Sequence, residues 1–249
     1  VTACANFDFT GTRALVTGAT SGIGHATAVL LRDAGADVMV TGTRPGPADY
    51  DTDLTGMSYR RLNLTDPTSI DDLTGTVDTL DVLINNAGAN FPGGVNEADP
   101  DGFAASVTLN LTAPYRLTVG LRKALAASTA PGGASVVFLS SLSALRAVTM
   151  VPGYGAAKAG IASLTHNLAV KWAPRNIRVN AVIPGMIDTP MTAVAQTVPE
   201  IIDPELARIP MGRLGTPTEI ANTIAFLCTE QSSYTTGALI VVDGGSTSQ

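Results

Sequence analysis

Short apolar runs alternate with helix-length segments along this chain, and no other feature of the sequence restricts its fold as tightly. Residues 14–17, 37–41, 82–85, 135–139, 178–183 and 239–242 read as buried strands. Residues 25–34, 67–78, 101–127, 154–173 and 217–229 read as helices. Strands and helices in alternation build βαβ units, and those units assemble a parallel sheet with helices on both faces. Strands covered on both faces are continuously apolar, as Val136-Val137-Phe138-Leu139 is. The expected class is α/β, a doubly wound parallel sheet of about seven strands. With no internal repeat and no Ser/Gly/Pro linker, residues 1–249 are expected to form one domain.

Breaker residues concentrate at 44–56, 90–100 and 185–215. Loops that follow the strands of such a sheet lie along its carboxyl edge, where open α/β folds bind ligands. The stretch 186–212 is long for a structureless loop, so two short helices over the site, or a mobile segment, are expected there. After the first strand comes Thr17-Gly18-Ala19-Thr20-Ser21-Gly22-Ile23-Gly24, which runs directly into a helix. Glycines there allow a tight turn and let backbone N–H groups and a helix N-terminus approach an anionic pyrophosphate.

Tyr154 and Lys158 stand four residues apart at the head of a helix and share one of its faces. A cation beside a phenol favours the phenolate and makes the group useful for acid/base chemistry near neutral pH. His25 and His166 have no acid partner at useful spacing and receive no catalytic role. Cys4 and Cys228 are the only cysteines and lack metal-ligand spacing, so no metal site is expected.

These motifs together resemble the short-chain dehydrogenase/reductase family over nearly the whole chain. The matching segments are the TGxxxGxG loop, Asn85-Asn86-Ala87-Gly88, Asn110, Ser140-Ser141, Tyr154 with Lys158, Pro184-Gly185 with Thr189, and Val242-Asp243-Gly244-Gly245. The resemblance implies a Rossmann fold and hydride transfer between a nicotinamide cofactor and a carbonyl or secondary alcohol. The family serine stands 13 residues before the tyrosine, and that position is Ser141. In the implied mechanism Tyr154 is the acid/base and Ser141 polarises the substrate oxygen. Lys158 lowers the tyrosine pKa and bonds the nicotinamide ribose, while Asn110 holds a water that links the lysine to solvent. Ser140 is expected to serve backbone hydrogen bonding. The implied cofactor contacts are Gly18, Thr20, Ser21, Gly22, Ile23, Gly24, Thr43, Arg44, Asn63, Leu64, Asn86, Ala87, Gly88, Tyr154, Lys158, Pro184, Gly185, Ile187 and Thr189.

The place of a ribose-binding acid after the second strand is filled by Gly42, with Arg44 two residues beyond. Without a carboxylate there, a 2′-phosphate is not repelled and Arg44 can pair with it. NADP(H) is therefore favoured. Ser21, where NADP(H)-dependent relatives often carry a basic residue, keeps NAD(H) open. Asn63 could accept a bond from the adenine amine, and Asp66 is expected to cap the following helix.

Substrate contacts are expected from the loops 90–94, 142–152 and 186–212 around the tyrosine, whose Phe91, Leu142, Leu145, Val148, Met150, Val151, Met186 and Met191 suit an apolar carbonyl compound or alcohol, with Arg146 expected to be solvated. The segment 210–227 is similar to the 3-oxoacyl-carrier-protein reductase branch, which must dock an acidic partner. The uncharged stretch 126–134 offers no basic face for one, so a free small molecule ranks first. A non-catalytic dinucleotide-binding protein is a distant alternative. A net charge of −6 argues against nucleic acid and anionic membrane. No signal-like or membrane-spanning stretch is evident, so a cytoplasmic location is expected. A charged fraction of only 14% suits burial of surface between subunits, and the family habit is a homotetramer.

Overall fold

The computed structural model describes residues 6–248, so Cys4 lies outside the described residues. Seven parallel strands form one sheet: β1 (Arg13–Val16), β2 (Asp37–Gly42), β3 (Ser58–Arg61), β4 (Val82–Asn85), β5 (Ala134–Leu139), β6 (Ile177–Pro184) and β7 (Leu239–Val242). Their order is β3-β2-β1-β4-β5-β6-β7. The chain reverses its direction of travel across the sheet between β1 and β4, which opens a crevice at their carboxyl ends. The strand at 58–61 escapes the apolar reading because it is an edge strand of sequence SYRR with one face in solvent. β4, β5 and β6 are buried at every position.

The helices are α1 (Gly22–Asp33), α2 (Pro67–Thr74), α3 (Pro100–Val107), α4 (Ala113–Gly120), α5 (Arg122–Ala126), α6 (Pro152–Trp172), α7 (Ala193–Gln196), α8 (Pro199–Ala207) and α9 (Pro217–Cys228). One face of the sheet is covered by α1 and α9, where Ala28, Leu31, Ile220 and Ile224 meet Val16, Val38 and Ile84. The other is covered by α2, α4, α5 and α6, where Ile70, Leu117, Leu125, Ile161 and Trp172 meet Leu15, Leu83 and Val136. Side chains of this size stabilise the fold by about 1.5–3 kcal/mol each when fully buried, so the two apolar layers hold the sheet between them.

The stretch read as one helix over 101–127 is three helices. A π-helical turn at Thr108–Thr112 joins α3 to α4, and Leu121 separates α4 from α5. α1 begins at Gly22, inside the glycine loop. Asp66 caps α2 by accepting from the Thr68 N–H at 2.9 Å. Arg178, inside a buried strand, is satisfied by the carbonyls of Gly132, Thr229 and Thr235. Among the described residues no helix is long and apolar enough to cross a membrane.

Candidate active site

The crevice between β1 and β4 is closed from below by a hydroxyl. Thr17 Oγ1 donates to the Ile84 carbonyl at 3.2 Å and accepts the N–H groups of Asn86 and Ala87 at 3.0 and 3.1 Å. The Asn86 amide in turn donates to the carbonyls of Thr17 and Gly18, each at 3.0 Å. The two loops thus meet closely, and a Cβ on Gly24 would lie 2.3 Å from Asn86 Nδ2. Gly18 and Gly22 adopt φ of 62° and 53°, the left-handed region that glycine enters freely. Ser21 is the N-cap of α1 yet its side chain makes no capping bond, so the first-turn N–H groups point outward as anion donors. Donors of this kind fit the pyrophosphate of a dinucleotide.

Across the crevice, Thr189 packs on Gly22, where an added Cβ would come within 3.2 Å of Thr189 Cγ2. Pro184 ends β6, and Gly185 lets the backbone pass Asp243, whose Cα would be 2.6 Å from a Cβ there. Ile187 is turned into the core and bridges to Gly215, and Leu64 is also a core side chain. Either would meet a ligand through backbone atoms. Asn63 Oδ1 accepts from both the N–H and the hydroxyl of Thr65, so its lone pairs serve a local turn.

At the end of β2 a hydrogen-bonded clasp holds Arg44. Tyr50 Oη accepts from the Arg44 N–H at 2.8 Å, and Tyr59 Oη donates to the Arg44 carbonyl at 2.5 Å. The Arg44 guanidinium lies 4.9 Å from the Tyr50 ring centroid and donates to the Asp49 carbonyl. Gly42 is required here, since a Cβ would sit 2.4 Å from the Tyr50 hydroxyl and 2.8 Å from Thr20 Cγ2. Thr43 and Arg44 are exposed beside this clasp.

The other half of the site forms where β5 ends against α6. Ser141 follows β5 and caps a short turn, accepting from the Ser143 N–H at 3.3 Å. The Ser141 side chain lies near enough to the Tyr154 phenol to favour its ionised form. Ser140 points the opposite way and donates to the Lys158 carbonyl at 2.9 Å. The Lys158 ammonium is buried, donates to the Leu139 carbonyl at 2.7 Å and lies 5.3 Å from the Tyr154 ring centroid. The π-helical turn presents Asn110, whose amide donates to the Ala89 and Ser106 carbonyls at 2.9 and 3.0 Å. Gly88 passes between Asn110 and Lys158, where a Cβ would be 2.6 Å from Asn110 Oδ1 and 3.4 Å from Lys158 Nζ. Asn110, Ser141, Tyr154 and Lys158, drawn from three parts of the chain, are therefore gathered around one space.

The electrostatics differ from the sequence expectation. Burial raises the Tyr154 phenol to about 12; Ser141 lowers it and the charge of Glu97 raises it. Lys158 does not reverse this, because its ammonium faces the ring and spends a bond on Leu139, while burial pulls it down to about 8.

Three residues of the site carry no motif. Glu97, only 1% exposed, accepts the backbone N–H groups of Phe91 at 2.9 Å and Tyr154 at 2.7 Å. Tyr50 is the second. Arg146 is the third: rather than being solvated, it is half-buried in an ion pair with Glu205 of α8, which ties that helix to the loop beyond Ser141. All three depend on contacts between residues far apart in sequence or inside irregular loops, which periodicity does not register.

The depressed lysine has a consequence for stability. Lys158 titrates near 8 in the folded protein against 10.5 for the ordinary group, so between those values the unfolded chain holds more protons and stability rises with pH. Relative to Lys158→Met, the wild type is expected to gain about 2 kcal/mol between pH 8 and 9.5. Urea midpoints between about pH 7 and 9.5, below the Tyr154 titration, measure it.

Residues 18–247 match the family model described as Enoyl-(Acyl carrier protein) reductase. The chain is 38% identical to the cis-4-hydroxycyclohexanecarboxylate dehydrogenase of Sinomonas cyclohexanicum, over 94% of this chain and 96% of that protein. It is 36% identical to the 3-oxoacyl-[acyl-carrier-protein] reductase of Aquifex aeolicus, covering 94% and 97%. A crystal structure from Agrobacterium tumefaciens, assigned as a 2-deoxy-d-gluconate 3-dehydrogenase with bound NADP, superposes with a TM-score of 0.85 at 33% identity, covering 99% and 100%. With its glycine loop, its switched parallel sheet and these relatives, the chain belongs to the short-chain dehydrogenase/reductase family and is an oxidoreductase of secondary alcohols and carbonyl compounds.

Proposed function

We propose that Tyr154 is the acid/base of an NADP(H)-dependent interconversion of a small, largely apolar secondary alcohol and its ketone. The observation that carries this reading is the convergence of Ser141, Tyr154, Lys158 and Asn110 on one space beside the glycine loop. The bound nicotinamide supplies or takes the hydride. Tyr154 gives its phenolic proton to the carbonyl oxygen in reduction and removes the hydroxyl proton in oxidation. Ser141, beside the phenol, holds that oxygen. Lys158 provides a nearby cation and an N–H donor for a ribose hydroxyl, while Asn110 fixes the loop around Gly88 against α3. Turns around Gly18 and Gly22 bind the pyrophosphate.

The apolar character of the substrate rests on exposed side chains flanking the tyrosine: Phe91, Leu145, Val148, Met150 and Met191 remain in solvent to 37–64%. An exposed apolar group of this kind marks a binding surface. α7 and α8 cover the substrate, with α8 tethered by Arg146 and Glu205. The kinship with a hydroxycyclohexanecarboxylate dehydrogenase supports a ring-borne alcohol. Reduction of the ketone of a 3-oxoacyl group borne on a carrier protein ranks second, supported by the Aquifex aeolicus relative. Glu200 and Asp203 are exposed on α8, the helix tied to the loop beyond Ser141, and would repel an acidic carrier approaching it.

For the cofactor, the clasped Arg44 and the absence of an acid at Gly42 support NADP(H), as does the NADP in the Agrobacterium tumefaciens structure. Exposed Tyr115 and Val119 on α4, Val170 on α6 and Val241 on β7 support a homotetramer.

Tyr154→Phe is expected to lower kcat on a cyclohexanol and cyclohexanone panel by at least about 100-fold, with cofactor affinity unchanged. Near-full turnover would sink the acid/base role. Arg44→Ala should weaken NADPH binding, read by nucleotide fluorescence, by about 10-fold or more while leaving NADH binding within a factor of two. Sedimentation at micromolar concentration should give a tetramer, and a monomer would count against the assembly.

A further inference from the structure

The first turn of α6 lacks a cap of its own. Its N-cap is Val151, which has no polar side chain, and Pro152 at the first helical position has no N–H. The Tyr154 N–H is taken instead by a carboxylate 57 residues earlier in the chain, Glu97 Oε2, at 2.7 Å. The second oxygen, Oε1, accepts the Phe91 N–H at 2.9 Å. Phe91 stands at φ 48°, a left-handed conformation that a bulky side chain adopts only when its surroundings impose it. Both ends of the carboxylate therefore hold backbone that would not hold itself.

The junction around Glu97 is closed on every side. A Cβ on Gly102 of α3 would lie 1.9 Å from the Asn96 carbonyl oxygen, and one on Gly153 of α6 would lie 2.9 Å from Ser106 Cβ and 3.0 Å from the Phe103 carbonyl. The same α3 residue, Ser106, receives the Asn110 amide. Among the described residues Glu97 has no ion pair, so its charge is met only by the two N–H groups and by the positive end of α6. A buried carboxylate is a costly way to cap a helix if capping is all that it does. Asn or Ser would satisfy an N–H with no charge to desolvate.

We infer that Glu97 is a positioning residue for hydride transfer, tying the first turn of α6 to the loop after β4 so that the Tyr154 hydroxyl meets the substrate oxygen in a fixed place and field. The inference rests on the acid/base role of Tyr154 proposed above. The charged groups bearing on the phenol are Glu97 from the segment before α3 and Lys158 from α6 itself. The turn at Leu142–Ala144 brings no charge, Arg146 beyond it is paired with Glu205, and Asp99 and Asp101 lie at the start of α3. Of these two, Lys158 faces the ring and is bonded to Leu139, while the negative charge of Glu97 opposes formation of the phenolate.

The test is the pH dependence of alcohol oxidation in Glu97→Gln, run beside Glu97→Asp and Tyr154→Phe. Glu97→Gln removes the charge and turns one acceptor toward a backbone N–H as a donor. Its kcat should fall at least about ten-fold with KM and NADP affinity within two-fold, because misplacement rather than lost binding is at work. The rising limb of kcat/KM should also move to lower pH by roughly half a unit or more, since the phenol loses a neighbouring negative charge. Glu97→Asp keeps the charge and shortens the reach, so kcat should fall while the limb stays where it is. An unmoved limb in a folded Glu97→Gln, whether or not its unfolding midpoint drops, overturns the inference, because a purely structural residue would behave so. Should Glu97→Gln not fold, Glu97→Asp decides: reduced kcat with unchanged NADP affinity supports the role, and wild-type kcat overturns it. An active Tyr154→Phe would defeat the acid/base reading and this inference together, whereas an inactive one beside an unmoved Glu97→Gln limb defeats this inference alone.

Discussion

One hydroxyl holds the two halves of the crevice together. Thr17 ends β1 and, through its side chain, takes the Ile84 carbonyl and the N–H groups of Asn86 and Ala87, so that the glycine loop and the Asn-Asn-Ala-Gly turn cannot drift apart. Parallel strands leave their carboxyl ends without partners at the point where the chain reverses, and the fold must satisfy these groups locally. Thr17 does so from a buried position, where its bond is harder to lose to water, and the half-buried Asn86 adds two more bonds across the seam. The close approach follows: Gly18 against Ala87, and Gly24 against Asn86, are positions where a Cβ has no room.

From that seam the site is built outward along two rigid paths. One runs through Gly88 to Asn110 and Ser106, and so to α3. The other runs from Leu139 at the end of β5 to the Lys158 ammonium, while Ser140 fastens the Lys158 carbonyl to the same strand end. Tyr154 sits where the paths meet. Its phenol lies beside Ser141 and its backbone N–H is held by Glu97, so a group on a helix is placed by a strand end and a distant carboxylate. The segment that carries α7 and α8 is assembled differently, with exposed apolar side chains and an ion pair from Glu205 of α8 to Arg146.

How legible each part was in the sequence depended on how local its cause is. Continuous apolar runs announced β4 and β5, because burial on both faces leaves a compositional mark. β3 left none, since an edge strand needs apolar side chains on at most one face. The stretch over 101–127 read as one helix although it holds Pro114 and Gly120, and the π-helical turn within it presents Asn110, whose amide donates to the carbonyls of Ala89 and Ser106. Arg146 looked solvated because its partner, Glu205, lies 59 residues away.

The sequence by itself determined the class of fold, the family and the spacing of Ser141, Tyr154 and Lys158, because each is written as a period or a short motif. Only the tertiary structure decided the state of those groups. Burial raises the Tyr154 phenol and lowers the Lys158 ammonium, the ammonium turns to Leu139 rather than to the phenol, and Glu97 enters the site from a segment with no motif. A pKa and a hydrogen-bond partner are set by everything that surrounds an atom in space. Order along the chain specifies only part of those surroundings.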